Sequence, residues 1–292
     1  MSRIADEVPP HAWFGVSAVF HYLGPSFAVL LFPAVGVLGV AWFRIASAAL
    51  VFAPATKPWR TFRNATNQER LLLIALGGCL AIMNSAFYLA LERLPLALVA
   101  SIEFVGAIAM ALWGVRTRRN FLALTLAVIG VLVLIDAPSL FTVGEQTATS
   151  DLIGVLWAVL NGALFVLYII LGHRISQNGA TDGVERLGAA MSAAFLFVIP
   201  IGFLQALDAF SAPGLVLAGI GVGVCSSVIP YVCDQLAMSR LPRSSFAFLL
   251  ALLPATATLI GVIVLRQIPN ALDIAGVALV MVGVAVHKPG RA

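Results

Sequence analysis

Ten runs of about twenty mostly apolar residues, separated by short polar breaks, leave this chain few folds to choose from. They lie near 11–32, 35–55, 70–92, 95–115, 120–137, 151–172, 184–205, 213–238, 242–265 and 271–287. A helix of that length crosses a hydrocarbon core of about 30 Å. It also satisfies its own backbone where no water can. The pattern predicts an all-α integral membrane protein with ten transmembrane helices. Composition agrees: 61% of the 292 residues are hydrophobic and 10% are charged, against roughly 25% charged in a soluble domain. A soluble chain this poor in charge could not cover its surface.

The basic residues set the orientation. Fourteen of the 17 Lys and Arg fall in alternate breaks, among them Lys57, Arg60, Arg63, Arg116, Arg118 and Arg119. The intervening breaks hold only Arg93 and Arg266, and Arg44 lies inside a run. Positive breaks face the cytoplasm, so both termini are predicted there. The leading MSRIADEVPP mixes one Arg with two acids. That is a poor leader, and the first run is expected to stay as a helix.

One segment is used twice. YLALERLPLALVASIEFVG around Leu94-Pro95 is echoed by YVCDQLAMSRLPRSSFAFLLALLP around Leu241-Pro242, with Ala90 falling on Ala237. Five helices per half is an odd number, so the second copy enters the membrane upside down. The predicted organisation is a first five-helix repeat over 1–140, a periplasmic linker over 141–150 and an inverted repeat over 151–292. Secondary transporters are built this way, with the site near the midplane where the halves meet.

Ionisable groups inside spans mark function by default. Arg44 is central in its run, and Glu103 lies ~12 Å along a helix from Pro95 at 1.5 Å per residue. These two are expected to share a cavity, either as a substrate or proton site or as an ion pair joining two helices. Asn84 and Tyr88 share one helix face, and so do Asn161 and Tyr168. His21 is central in the first run. Asp234 and Tyr231 follow Pro230, and Asp234 sits close enough to the inner end to be either a cavity group or an interfacial one. Pro25, Pro95, Pro230 and Pro254 are candidate hinges, with a further kink expected at Pro200. The five tryptophans read mostly as interface anchors, and Gly77-Gly78 with Gly219, Gly221 and Gly223 as points of close helix packing.

Other classes are excluded by what the residues do not offer. The basic residues form loops, not a face, which argues against nucleic acid. His11, His21, His173 and His287 are scattered without metal-ligand or nucleophile–base spacing, so neither an enzyme nor a metal site is predicted. Cys79, Cys225 and Cys233 read as small buried hydrophobes. No cofactor is implied. The partners are the lipid bilayer and a small molecule.

The segments FRIASAAL, KPWR, MNSAFYLALERLPLALVASIEFVGAIAMAL, LNGALFVLYIILGHR, SSVIPYVCDQLAMSRLPRSSFAFLLALLPA and ALDIAGVALVMVGVAV together resemble the drug/metabolite transporter superfamily, in its EamA-type branch. The resemblance covers nearly the whole chain. It implies a bacterial inner-membrane exporter of small amino acids of the threonine and homoserine kind, driven by protons. By position it carries over Arg44, Asn84, Tyr88, Glu103 and Phe104, then Pro230 and Tyr231, with Asp234 standing where the branch has Glu. Glu103, Asp234 and His21 are the proton-coupling candidates. The chain departs from the pattern at Ala107, where a proline is usual. It departs again at Leu253 before Pro254 and at Arg266-Gln267, where carboxylates are usual. A cationic drug exporter of the same superfamily is the nearest alternative, and a channel-like or non-transporting membrane protein the alternative from another class.

Overall fold

The computed structural model describes residues 9–114, 116–135, 146–178, 183–238, 249 and 252–287. These are almost wholly helical: α1 (Pro10–Val35), α2 (Val37–Thr56), α3 (Pro58–Asn64), α4 (Asn67–Leu91), α5 (Leu96–Gly114), α6 (Arg118–Leu134), α7 (Gln146–Asn178), α8 (Gly183–Ala206), α9 (Pro213–Gly223), α10 (Ile229–Met238), α11 (Leu253–Leu265) and α12 (Ala271–Val286). Among the described residues, six helical segments are long and apolar enough to cross a membrane: His11–Val35, Val37–Thr56, Asn67–Leu91, Leu152–Gly172, Glu185–Ser211 and Pro213–Asp234. Leu96–Gly106, Leu253–Leu265 and Ala271–Val286 are shorter apolar helices.

Local chemistry sets the ends. Gly36 turns α1 into α2 at a φ of 78°, a left-handed region that favours glycine. Thr66 and Asn270 start α4 and α12 with capping boxes closed by Glu69 and Asp273. The LERLP segment makes the expected tight turn, with the Leu94 N–H donating to the Ala90 carbonyl at 2.9 Å. Its counterpart Leu241-Pro242 lies outside the described residues.

Several elements differ from the sequence reading. The basic stretch after α2 is not a plain loop: Pro58–Asn64 folds as a short helix, with Trp59 exposed. The eighth run is not one α-helix, because a π-helical turn over Val224–Val228 separates α9 from α10. Helix α7 begins at Gln146, so residues 146–150 are helical. A 3-10 turn, Leu207–Ser211, extends α8. Pro25 and Pro200 lie inside helices that run through them. Pro254 instead occupies the first turn of α11 as described, where a proline costs no hydrogen bond.

The core is made by small residues that let backbones approach. Helix α2 is the most enclosed element, with Val40, Ala41, Ile45 and Ala48 buried. It packs along α8 through Gly39 and Gly202, opposite Ala206 and Leu38. Gly130 of α6 and Gly276 of α12 face one another so closely that a Cβ on the first would stand 2.6 Å from the carbonyl oxygen of the second. Gly77 abuts Ala190 and Ala194 of α8, and Gly223 abuts the Arg44 carbonyl, while Gly221 meets nothing. Trp42 is no interface anchor. It is buried among Phe43, Phe195, Phe203 and Phe210, with centroids 5.1–6.1 Å away. The outside is apolar: Leu50, Leu71, Leu204 and Leu217 are 68–78% exposed, which suits lipid as the surrounding solvent.

Candidate functional site

Arg44 reaches the centre because both sides of it are cleared. Gly24 on α1 lets that helix lie against Ser226, and Gly223 lets α9 lie against the Arg44 turn of α2. The π turn then supplies acceptors. Arg44 Nε donates to Ser227 Oγ at 3.1 Å, and Nη2 donates to the Ser226 carbonyl at 3.3 Å. The residue four positions after Ser226 is Pro230, which has no N–H to give, so the Ser226 carbonyl is left for the guanidinium. The cation also lies over two rings, 5.4 Å from the Tyr88 centroid and 5.8 Å from that of Phe87. Arg44 is 6% exposed.

Glu103 is held by another pair of helices. Helices α5 and α7 come together where Gly106 faces the Gly162 backbone. One turn away, Asn161 Nδ2 donates to Glu103 Oε2 at 3.4 Å. The two intramembrane charges do not form the direct ion pair that the sequence allowed, because Arg44 is engaged by the serines of the π turn. Among the described residues, the ion pair within 4.0 Å is Arg93 with Glu92, at the α4–α5 turn. Arg44 and Glu103 nonetheless lie within electrostatic reach of one another.

The remaining candidates divide into two sets. His21 is within electrostatic reach of Arg44, and Tyr231 is within reach of Arg44, Glu103 and Asp234. Tyr168 is close to Tyr231 and Asp234, and the Asp234 carboxylate meets the Ser17 hydroxyl. Side chains from α1, α2, α5, α7 and α10 therefore converge on one polar cluster. Asn84 is not engaged with it: its Nδ2 donates to the Leu80 carbonyl of its own helix at 2.7 Å. Phe104 is a core side chain. Pro95 precedes α5, and the Pro230 carbonyl accepts from Ser17 Oγ at 3.3 Å.

Ser226, Ser227, Tyr22 and Phe87 escaped the sequence reading. Two adjacent hydroxyls in an apolar run, three residues ahead of a proline and after three alternating glycines, were the signal for the serines. Tyr22 is 2% exposed and within electrostatic reach of Glu103. Two cavities open elsewhere. One, of about 540 Å³, lies at the α1–α2 turn beside Leu89, Glu92 and Gln205. The other, of about 300 Å³, lies beside Lys57, Arg60 and Glu185. Neither is lined by Arg44 or Glu103. The buried cation and carboxylate are stronger candidates than either hollow, since placing charge in lipid is costly.

Such a cluster can hold a small molecule that carries both charges. A guanidinium recognises a carboxylate through paired donors. A carboxylate with an amide beside it accepts from an ammonium or takes a proton.

Comparison with known proteins agrees. The model of the EamA-like transporter family matches residues 152–287. The chain is 34% identical over 244 residues to the threonine/homoserine exporter RhtA of Escherichia coli (strain K12) and to that of Salmonella typhimurium (strain LT2), covering 84% of this chain and 79% of each relative. A solved crystal structure of a protein 17% identical superposes with a TM-score of 0.63 over 94% of both chains, a likeness of fold.

Proposed function

From the premise that this chain belongs to the EamA-like transporter family, we propose that it exports small amino acids of the threonine and homoserine kind across the bacterial inner membrane by alternating access. The observation that carries the reading is the Arg44–Glu103 arrangement. A buried guanidinium bonded to neutral partners lies within electrostatic reach of a carboxylate held by an amide. A substrate α-carboxylate would take donors of Arg44 from the serines, and an α-ammonium would lie at Glu103. Protonation of Glu103 would release the ammonium and return the carrier, coupling export to the proton gradient.

The helix pairing supports two inverted halves. Exchange α1 with α7, α2 with α8, α4 with the α9–α10 unit, α5 with α11 and α6 with α12. The pairs α2·α8, α5·α11 and α6·α12 then map onto themselves. The pairs α4·α7, α4·α8 and α5·α7 become α1, α2 and α1 packed on α9–α10, α9–α10 and α11, all of which occur. On this reading ten helices cross the membrane, both termini lie in the cytoplasm, and the site sits between the halves.

Counterflow in proteoliposomes tests it, with labelled threonine, homoserine and a cationic dye, with and without a pH gradient. Saturable amino-acid flux raised by the gradient and lost in Glu103→Gln is the expected result. Dye flux with amino-acid silence would move the chain to the drug-exporting relatives. Wild-type flux in Glu103→Gln would remove the coupling role.

A further inference from the structure

Two glutamines reach from helix ends in the second half of the chain to helix starts in the first. Gln205 Oε1 accepts from the backbone N–H of Leu38 at 3.0 Å and of Gly39 at 3.3 Å. Gln267 Oε1 accepts from the N–H of Leu96 at 3.2 Å. Each takes donors that the first turn of a helix leaves without intrahelical partners. The three bonds secure α2 and α5 where each follows a tight turn, at Gly36 and at Leu94-Pro95. Alternation of the helices puts both turns on one face, which the sparse basic residues there identify as the outer face.

The cavity of about 540 Å³ opens beside the first of these contacts. Phe32 lines it and meets the Tyr88 ring edge-on at 5.7 Å, and Tyr88 in turn underlies Arg44. Two rings therefore separate the hollow from the cation. Below Val29, a lining residue, one further turn of α1 brings Ser26, fully buried and with its hydroxyl unbonded.

We propose that Gln205 and Gln267 are the latches of the outer gate: they join the two halves above the Phe32–Tyr88 barrier and let go when the site opens outward. Which face is the exit rests on the exporter reading above. Neutral amides suit a contact that must open and reclose. Gln205 is exposed and Gln267 half-buried, so water replaces each acceptor as the gate parts, and the net cost of release stays modest.

The test is thiol accessibility. Ser26→Cys is placed in a chain with Cys79, Cys225 and Cys233 replaced by alanine, and intact cells are treated with a membrane-impermeant maleimide. Gln267→Leu should raise the labelling rate of Ser26→Cys about five-fold, the loss of one typical hydrogen bond, Gln205→Leu, which loses two, by at least as much, and the pair together by more. Gln205→Glu keeps an acceptor oxygen and should label at the original rate. Leu272→Cys, 61% exposed at the start of α12, should label equally in every background, which verifies insertion. Unchanged Ser26→Cys labelling in both leucine variants, with Leu272→Cys labelled normally, would overturn the latches. Threonine counterflow on the same proteins separates the two ideas. Absent flux with the predicted labelling removes the exporter assignment and keeps the gate. Normal flux with unchanged labelling removes the gate alone.

Discussion

The guanidinium carbon of Arg44 lies 5.4 Å from the centre of the Tyr88 ring, while the hydroxyl of the same tyrosine is buried without a hydrogen bond. The ring, not its oxygen, is what Arg44 uses. Tyr88→Phe should therefore transport within about two-fold of wild type. Tyr88→Leu removes the π-face and should weaken substrate affinity by roughly 1–2 kcal/mol, about 5- to 30-fold. Saturation curves for both variants check this; equal losses would mean that the hydroxyl matters.

The two serines of the π turn contribute different atoms. Ser227 gives its hydroxyl to Arg44, and Ser226 gives only its carbonyl, leaving its own hydroxyl unbonded. Ser227→Ala should cost about 1–3 kcal/mol in stability or transport through a buried donor left unpaired. Ser226→Ala should cost nothing, since the backbone acceptor remains. Thermal melting in detergent alongside flux measurements distinguishes them.

Arg44→Lys is a harsher change than its charge suggests. A lysine ammonium has no planar fork to bond Ser227 and the Ser226 carbonyl together while lying over two rings. Transport should fall more than ten-fold with the protein still inserted. A fully active Arg44→Lys variant would show that charge alone is needed.

Packing makes a prediction independent of function. A Cβ at Gly130 would stand 2.6 Å from the Gly276 carbonyl, and one at Gly221 would meet nothing. Gly130→Ala should destabilise by about 1–3 kcal/mol through overpacking. Gly221→Ala should gain about 0.5–1 kcal/mol from helix propensity. Opposite shifts in melting temperature are the expected outcome.

The start of α4 gives a test outside the site. Thr66 Oγ1 accepts from the Glu69 N–H at 3.3 Å, and the Glu69 carboxylate accepts from the Thr66 N–H at 2.7 Å. Thr66→Ala should cost about 0.5–2 kcal/mol, read as a lower melting temperature with unchanged substrate affinity.

Some of this was legible before any coordinates. Arg44 and Glu103 stood out because charge inside an apolar run is costly, and the α4–α5 turn because Pro95 cannot donate to a helix. Their relationship was not legible, because Arg44 bonds residues 182 and 183 positions away. Trp42 was grouped with the anchors by residue type, and only tertiary packing surrounds it with four phenylalanines. Helix α3 is seven residues long and carries two arginines, so its composition spelled loop. Asn84 shared a predicted face with Tyr88, yet its side chain turned back to Leu80, the local alternative open to any asparagine in a helix. The π turn was not read either, although Pro230, four positions after Ser226, removes one α-helical donor there.

That turn makes the facing of α10 a matter of counting. An α-helix advances about 100° per residue, so the one extra residue held in Val224–Val228 fixes the azimuth of everything after it. Rewinding the same residues as plain α-helix would swing Tyr231 and Asp234 through about a quarter turn away from Arg44. Removing one residue together with the turn would cancel that swing, since an α-helix needs one residue fewer to cover the same angle. The width of the turn, and no side chain, keeps the second-half members of the cluster on their face.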